Sequence, residues 1–163
     1  MEISYSLPKT NILNKIFIAI INKKITNLHL VNISKVVNVC RNGLYYHFDS
    51  YQDLIVDLFN YSCLVYHLDF FNKYQNFNIA LFYNKEFINF YSSLINIIGK
   101  LELINLLLIN IKNKVKLNNF DKTLVEIRLN TFLTLVSLIN LNKINFKTKQ
   151  IKILLNIKED PIC

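Results

Sequence analysis

From residue 12 the apolar positions recur at helical intervals. Ile12, Leu13, Ile16, Phe17, Ile20 and Ile21 fall on one side of a helix, with Asn11, Asn14, Lys15 and Asn22 opposite. The spacing predicts a helix over roughly 9–23, with Pro8 in its first turn, where a missing N–H costs nothing. The polar run NKKITN (22–27) interrupts it. A short helix follows over 31–37, with Ile33, Val36 and Val37 inward and Asn32 and Lys35 outward. Asn38 offers a left-handed turn residue. A second short helix starts near Cys40 or Arg41 and ends at Asp49-Ser50. Ser50 and Asp53 resemble a capping box that opens a long helix. Leu54, Ile55, Leu58 and Phe59 are its expected buried face, continued by Leu64, Val65 and Leu68.

Beyond Phe71 the pattern predicts a connection over 72–78 and helices near 80–98, 100–117, 121–141 and 146–157. Breaks are expected at Gly99, over 118–121 and over 142–145. With two glycines and two prolines in 163 residues, the chain lacks the turn-formers of a β-sandwich or barrel. The expected fold is all-α: an N-terminal three-helix unit (1–49), joined by a long helix to a C-terminal helical unit (50–163). Asparagine is abundant at exposed positions and is a mediocre helix former, so these helices depend on packing. A hydrophobic fraction of 52% supplies the core for it.

Charge adds a direction. The net charge is +8, and residues 1–48 carry six basic side chains (Lys9, Lys15, Lys23, Lys24, Lys35, Arg41) against Glu2 alone. The remainder carries thirteen basic and ten acidic residues. The front excess suits an anionic partner, nucleic acid first and a membrane surface second, or is a solubility surplus. Cys40, Cys63 and Cys163 are odd in number and widely spaced, so no disulfide framework is indicated. The opening residues MEISYSLPKTN lack a basic-then-apolar signal pattern, and the apolar run 94–111 holds Lys100 and Glu102, which makes it a poor membrane span. A reduced, cytoplasmic setting is expected, with no membrane partner.

The segment VCRNGLYYHF (39–48) carries the chemistry. Two short helices joined by a tight turn are the helix-turn-helix arrangement, whose second helix enters the DNA major groove. Here that helix presents Arg41, Asn42, Tyr45 and Tyr46 outward and Val39, Leu44 and Phe48 inward. Arginine matches the O6 and N7 of guanine, and asparagine matches the N6 and N7 of adenine. Phenol and imidazole groups suit phosphate oxygens. Gly43 allows close backbone approach.

Taken in order, ILNKIFIAI, LVNISKVV, NVC, RNGLYYHF and DSYQDL over residues 12–54 resemble the DNA-binding domain of the tetracycline-repressor (TetR/AcrR) family of bacterial regulators. The likeness covers about a quarter of the chain. It implies a dimeric DNA-binding regulator, a repressor, that binds a near-palindromic double-stranded operator and is released by a small apolar or aromatic effector. Carried over by position, Arg41, Asn42, Gly43, Tyr45, Tyr46 and His47 lie at the DNA, with Arg41, Asn42 and Tyr46 at base edges and Tyr45, His47 and Tyr51 at phosphates. His29 and Lys35 are candidate backbone contacts. The chain departs from the family pattern at Lys24 and Asn38, where glycines are usual, at Cys40 in a serine cap position, and at Tyr51, where a phosphate-gripping lysine is common. A lost cap costs roughly 1 kcal/mol.

The second half carries no family motif. By analogy Tyr74, Phe87, Phe90 and Tyr91 are candidates for the effector pocket, and Leu124, Phe132, Leu135, Leu138 and Leu155 for the dimer interface. Ordinary core is the competing reading of the aromatic cluster. No enzyme constellation, Gly-rich phosphate loop or cofactor motif is evident. Cys63 and His67, four apart, are too few for a structural zinc site. The alternative function is a helical interaction protein derived from this family that no longer reads DNA.

Overall fold

The computed structural model describes residues 5–70, 78–114, 119–141, 150, 151 and 153. Their regular structure is all helical, with no strand among them: α1 (Leu7–Ile21), α2 (Leu30–Val37), α3 (Arg41–His47), α4 (Tyr51–Tyr66), a 3-10 turn (Ile79–Tyr83), α5 (Lys85–Ile98), α6 (Lys100–Lys114) and α7 (Asn119–Asn140). Tyr74 and Leu155 lie outside the described residues, as does most of the helix expected over 146–157.

The helix ends follow local chemistry. Pro8 sits in the first turn of α1. Ser50 Oγ accepts from the Asp53 N–H at 3.1 Å, which satisfies one orphan donor of α4. Asn84 does the same for α5, accepting from Glu86 and Phe87 N–H groups at 2.9 and 3.2 Å. Gly99, at φ 91°, turns the chain between α5 and α6, and the two helices bend by 95° there. The left-handed residue after α1 is Lys23 (φ 55°), and Lys24 is not left-handed.

One core runs through both halves of the chain. α1 packs on α2, α4 and α5, while α7 packs on α5 and α6. The Phe17 and Phe90 rings stand 4.6 Å apart, so the segments before and after residue 50 share a single interior. Leu64 and Val65, expected inward, are 46% and 41% exposed. Ser62, one turn after Leu58, takes the inward position instead, because its hydroxyl bonds Phe59 O at 2.6 Å and Tyr91 Oη at 2.7 Å. Val36 is likewise exposed, while Ile33 and Val37 are buried as expected.

No single helix among the described residues is long and apolar enough to cross a membrane. Lys85–Ile98 and Lys100–Asn110 reach that length only as a bent pair. Their apolar positions Phe87, Phe90, Leu94, Leu103 and Leu107 are buried in the core.

Candidate nucleic-acid interface

α2 and α3 are joined through Asn38, Val39 and Cys40. Asn38 is left-handed (φ 55°, ψ 45°), and both its N–H and that of Val39 return to Ser34 O. This turn aims α3 away from α2. Cys40 is the N-cap of α3, its Sγ accepting from the Gly43 N–H at 3.3 Å. Leu44 and Phe48, both fully buried, hold α3 to the body. Gly43 has a reason inside the chain: a Cβ there would stand 3.2 Å from Val39 Cγ1 and 3.3 Å from Cys40 Sγ. Its small size serves the capped turn.

Anchoring one face exposes the other. Arg41 and Asn42 are exposed, Tyr45 is 52% exposed and Tyr46 84%. The Tyr46 ring therefore stands almost wholly in solvent. His47 is half-buried, its ring edge-on to Tyr46 at 5.0 Å and 6.5 Å from Phe48. Lys35 projects from α2 into solvent.

The start of α2 and the outer side of α3 enclose an open groove of about 400 Å³, lined by His29, Leu30, Val31, Tyr45 and Tyr51. Three of the expected phosphate-side residues, from three separate places in the chain, therefore meet. His29 is the N-cap of α2 without a side-chain cap bond, and its own N–H is held by Asn27 Oδ1 at 3.1 Å. Its imidazole is thus not committed to capping. The Tyr51 phenol is raised above its usual pKa, first by partial burial and then by the Glu102 charge. It stays a neutral donor.

One feature of this region escaped the sequence pattern. Lys9 Nζ lies 2.6 Å from Asp57 Oδ2, and Tyr5 Oη donates to Asp57 Oδ1 at 3.2 Å. The same ammonium sits 5.1 Å from the Phe48 ring centroid and 5.3 Å from that of Tyr5. Burial, then the Asp57 charge, pushes the Tyr5 phenol well up, so it remains protonated. Lys9 is therefore committed to the interior, while Lys15, Lys23, Lys24, Lys35 and Arg41 stay exposed. The available signal was an acid inside an apolar run, LIVDLF (54–59).

In the second half, Phe87, Phe90 and Tyr91 are fully buried and packed on one another. Tyr91 has Phe87 at 5.0 Å, Phe90 at 4.9 Å and Phe132 at 5.0 Å. Its hydroxyl is engaged by Ser62. These rings fill the space they were expected to line. Phe132 and Leu135, expected at a dimer contact, face this chain's own core at 0% and 2% exposure, because the inward face of α7 is the one that carries them. Leu124 and Leu138 remain half-exposed. His67 is a left-handed C-cap of α4, and no cluster of three metal-ligating side chains occurs among the described residues.

No protein-family model, curated protein or solved structure matches this chain, so its local geometry carries the functional reading.

Proposed function

We propose that this protein is a dimeric DNA-binding transcriptional regulator of the tetracycline-repressor type, a repressor, with α3 as its recognition helix. The observation that carries the reading is the division of α3: Leu44 and Phe48 fully buried, with Arg41, Asn42, Tyr45 and Tyr46 exposed behind a left-handed turn. Arg41, Asn42 and Tyr46 meet base edges in the major groove. Tyr45, Tyr51 and His29 border the groove in which a backbone phosphate sits, and His47 and Lys35 are further phosphate contacts. A two-fold dimer spaces its two recognition helices about 34 Å apart and demands a near-palindromic operator. An effector site at Phe87, Phe90 and Tyr91 has no support in so filled a core, and the reading assigns no effector.

The test is binding of the purified chain to DNA from upstream of its own gene at two salt concentrations. Specific, salt-sensitive binding is expected, weakened by Tyr46→Ala by at least ~1 kcal/mol without loss of fold. Absence of binding to every fragment, or normal binding by that variant, refutes it. A second reading rests on Tyr51 standing where a lysine is usual and on Lys9 being paired internally. It is a helical interaction protein that has lost DNA reading, and it predicts a stable fold with no salt-dependent DNA competition.

A further inference from the structure

α3 turns one direction fully outward. At about 100° per residue, the mean direction of positions 42 and 46 lies opposite that of Leu44, whose side chain is fully buried. Asn42 and Tyr46 stand one turn apart on that side, Asn42 exposed and Tyr46 84% exposed. Tyr45 turns instead to the groove shared with His29 and Tyr51. The two neighbouring tyrosines therefore have different surroundings, and only Tyr46 points straight away from the body.

The Tyr46 ring has a support behind it. The His47 ring stands nearly perpendicular to it (87°) at 5.0 Å. The same imidazole lies 6.5 Å from the ring of Phe48, which is fully buried. The series Phe48, His47, Tyr46 ties an exposed ring back to the core. A tyrosine also has few rotatable bonds, so little freedom is lost when such a ring is covered.

The chemistry of base edges says what covers it. In the major groove guanine, adenine and cytosine present hydrogen-bonding groups, and the C5 methyl of thymine is the apolar one. A ring pressed onto polar edges takes water from them and returns no hydrogen bond from its face. A ring pressed onto a methyl group removes apolar surface from water on both partners. The phenol hydroxyl, at the far tip of the ring, stays accessible to water or a phosphate.

We propose that the Tyr46 ring packs on the C5 methyl of a thymine in each operator half-site, beside the base that Asn42 reads by hydrogen bonds. This rests on α3 being the DNA reader, and it names a base that the reading above leaves open.

The fragment that the full-length chain binds from upstream of its gene is remade with each thymine replaced singly by uracil, which removes the methyl group and keeps the base pairing. Fluorescence anisotropy gives the dissociation constants of the parent, Tyr46→Phe and Tyr46→Ala. One such replacement in each half-site should weaken binding by the parent about four-fold, the loss that one buried methyl group carries. Tyr46→Phe keeps the ring and should keep that penalty. Tyr46→Ala should bind the thymine and uracil fragments equally, whatever its overall affinity. The absence of any sensitive thymine, penalties that all survive Tyr46→Ala, or a penalty that vanishes in Tyr46→Phe overturns the methyl contact while α3 stands as the DNA reader. A chain that binds no fragment at all overturns α3 as the reader and this contact with it.

Discussion

Replacing Asp57 by Asn removes one charge from the Lys9–Asp57–Tyr5 cluster and keeps its shape. The amide still accepts the Tyr5 hydroxyl, which lies 3.2 Å from Oδ1, so the loss isolates the ion pair. At 2.6 Å, with an effective dielectric constant near 20, the attraction is roughly 6 kcal/mol before desolvation is subtracted. Side-chain exposures of 21% for Lys9 and 12% for Asp57 place the pair between a surface bridge, worth under ~1 kcal/mol, and a fully buried one, whose breakage costs about 3–5 kcal/mol. The Lys9 ammonium keeps its position near the Tyr5 and Phe48 rings and so retains part of its stabilisation. A loss of about 2–3 kcal/mol is expected, or about 5–10 °C in melting temperature for a chain of this size. Urea unfolding of the parent, Lys9→Met, Asp57→Asn and the double variant measures it. The cycle should show a coupling of at least ~1.5 kcal/mol. The Lys9 ammonium lies against Phe48 at the end of α3, so on the proposed function DNA affinity should fall with it. A loss below ~0.5 kcal/mol, or additive single variants, refutes the cluster as a brace.

Lys23→Gly should raise stability by roughly 0.5–1 kcal/mol by relieving a left-handed lysine, whereas Lys24→Gly should not; equal effects on the urea midpoint would contradict the assigned turn. Cys40→Ser should strengthen the cap of α3 by about 0.5 kcal/mol, since a thiol is a weak acceptor, and Cys40→Ala should be the least stable of the three; a midpoint unchanged across the series argues against Sγ as a cap. Stability should also fall in alkali. Tyr66 is pushed up to about 12 by burial and then by Glu86, and Tyr5, Tyr91 and Cys63 are raised by burial first of all. For each, the unfolded chain deprotonates first, so the stabilisation is whole below the unfolded values of 9.0 for the thiol and 10.0 for the phenols and is lost as pH rises above them. Urea midpoints between pH 8 and 11 should drop, less steeply for Tyr91→Phe, and a flat profile would contradict the burial of these groups.

The helical periods of 12–21, 31–37 and 54–59 were legible because each helix repeats its apolar face at intervals that backbone geometry alone dictates. The turn at Asn38, the cap at Ser50 and the break at Gly99 were legible for the same reason: each depends on one side chain and its own backbone. So was the two-faced character of α3. The failures lie where a choice depends on distant partners. Leu64 and Val65 face outward because Ser62 finds Tyr91, twenty-nine residues on. Phe132 and Leu135 turned from dimer contacts into core because the packing of α5 and α6 against α7 selects which apolar face is covered, and a helix with apolar residues on two faces does not announce that choice. Lys9 left the basic surface because Asp57, forty-eight residues away, lies beside it in the fold. Local periodicity and capping are properties of consecutive residues, whereas burial, ion pairing and the identity of the free face arise only when separate helices meet.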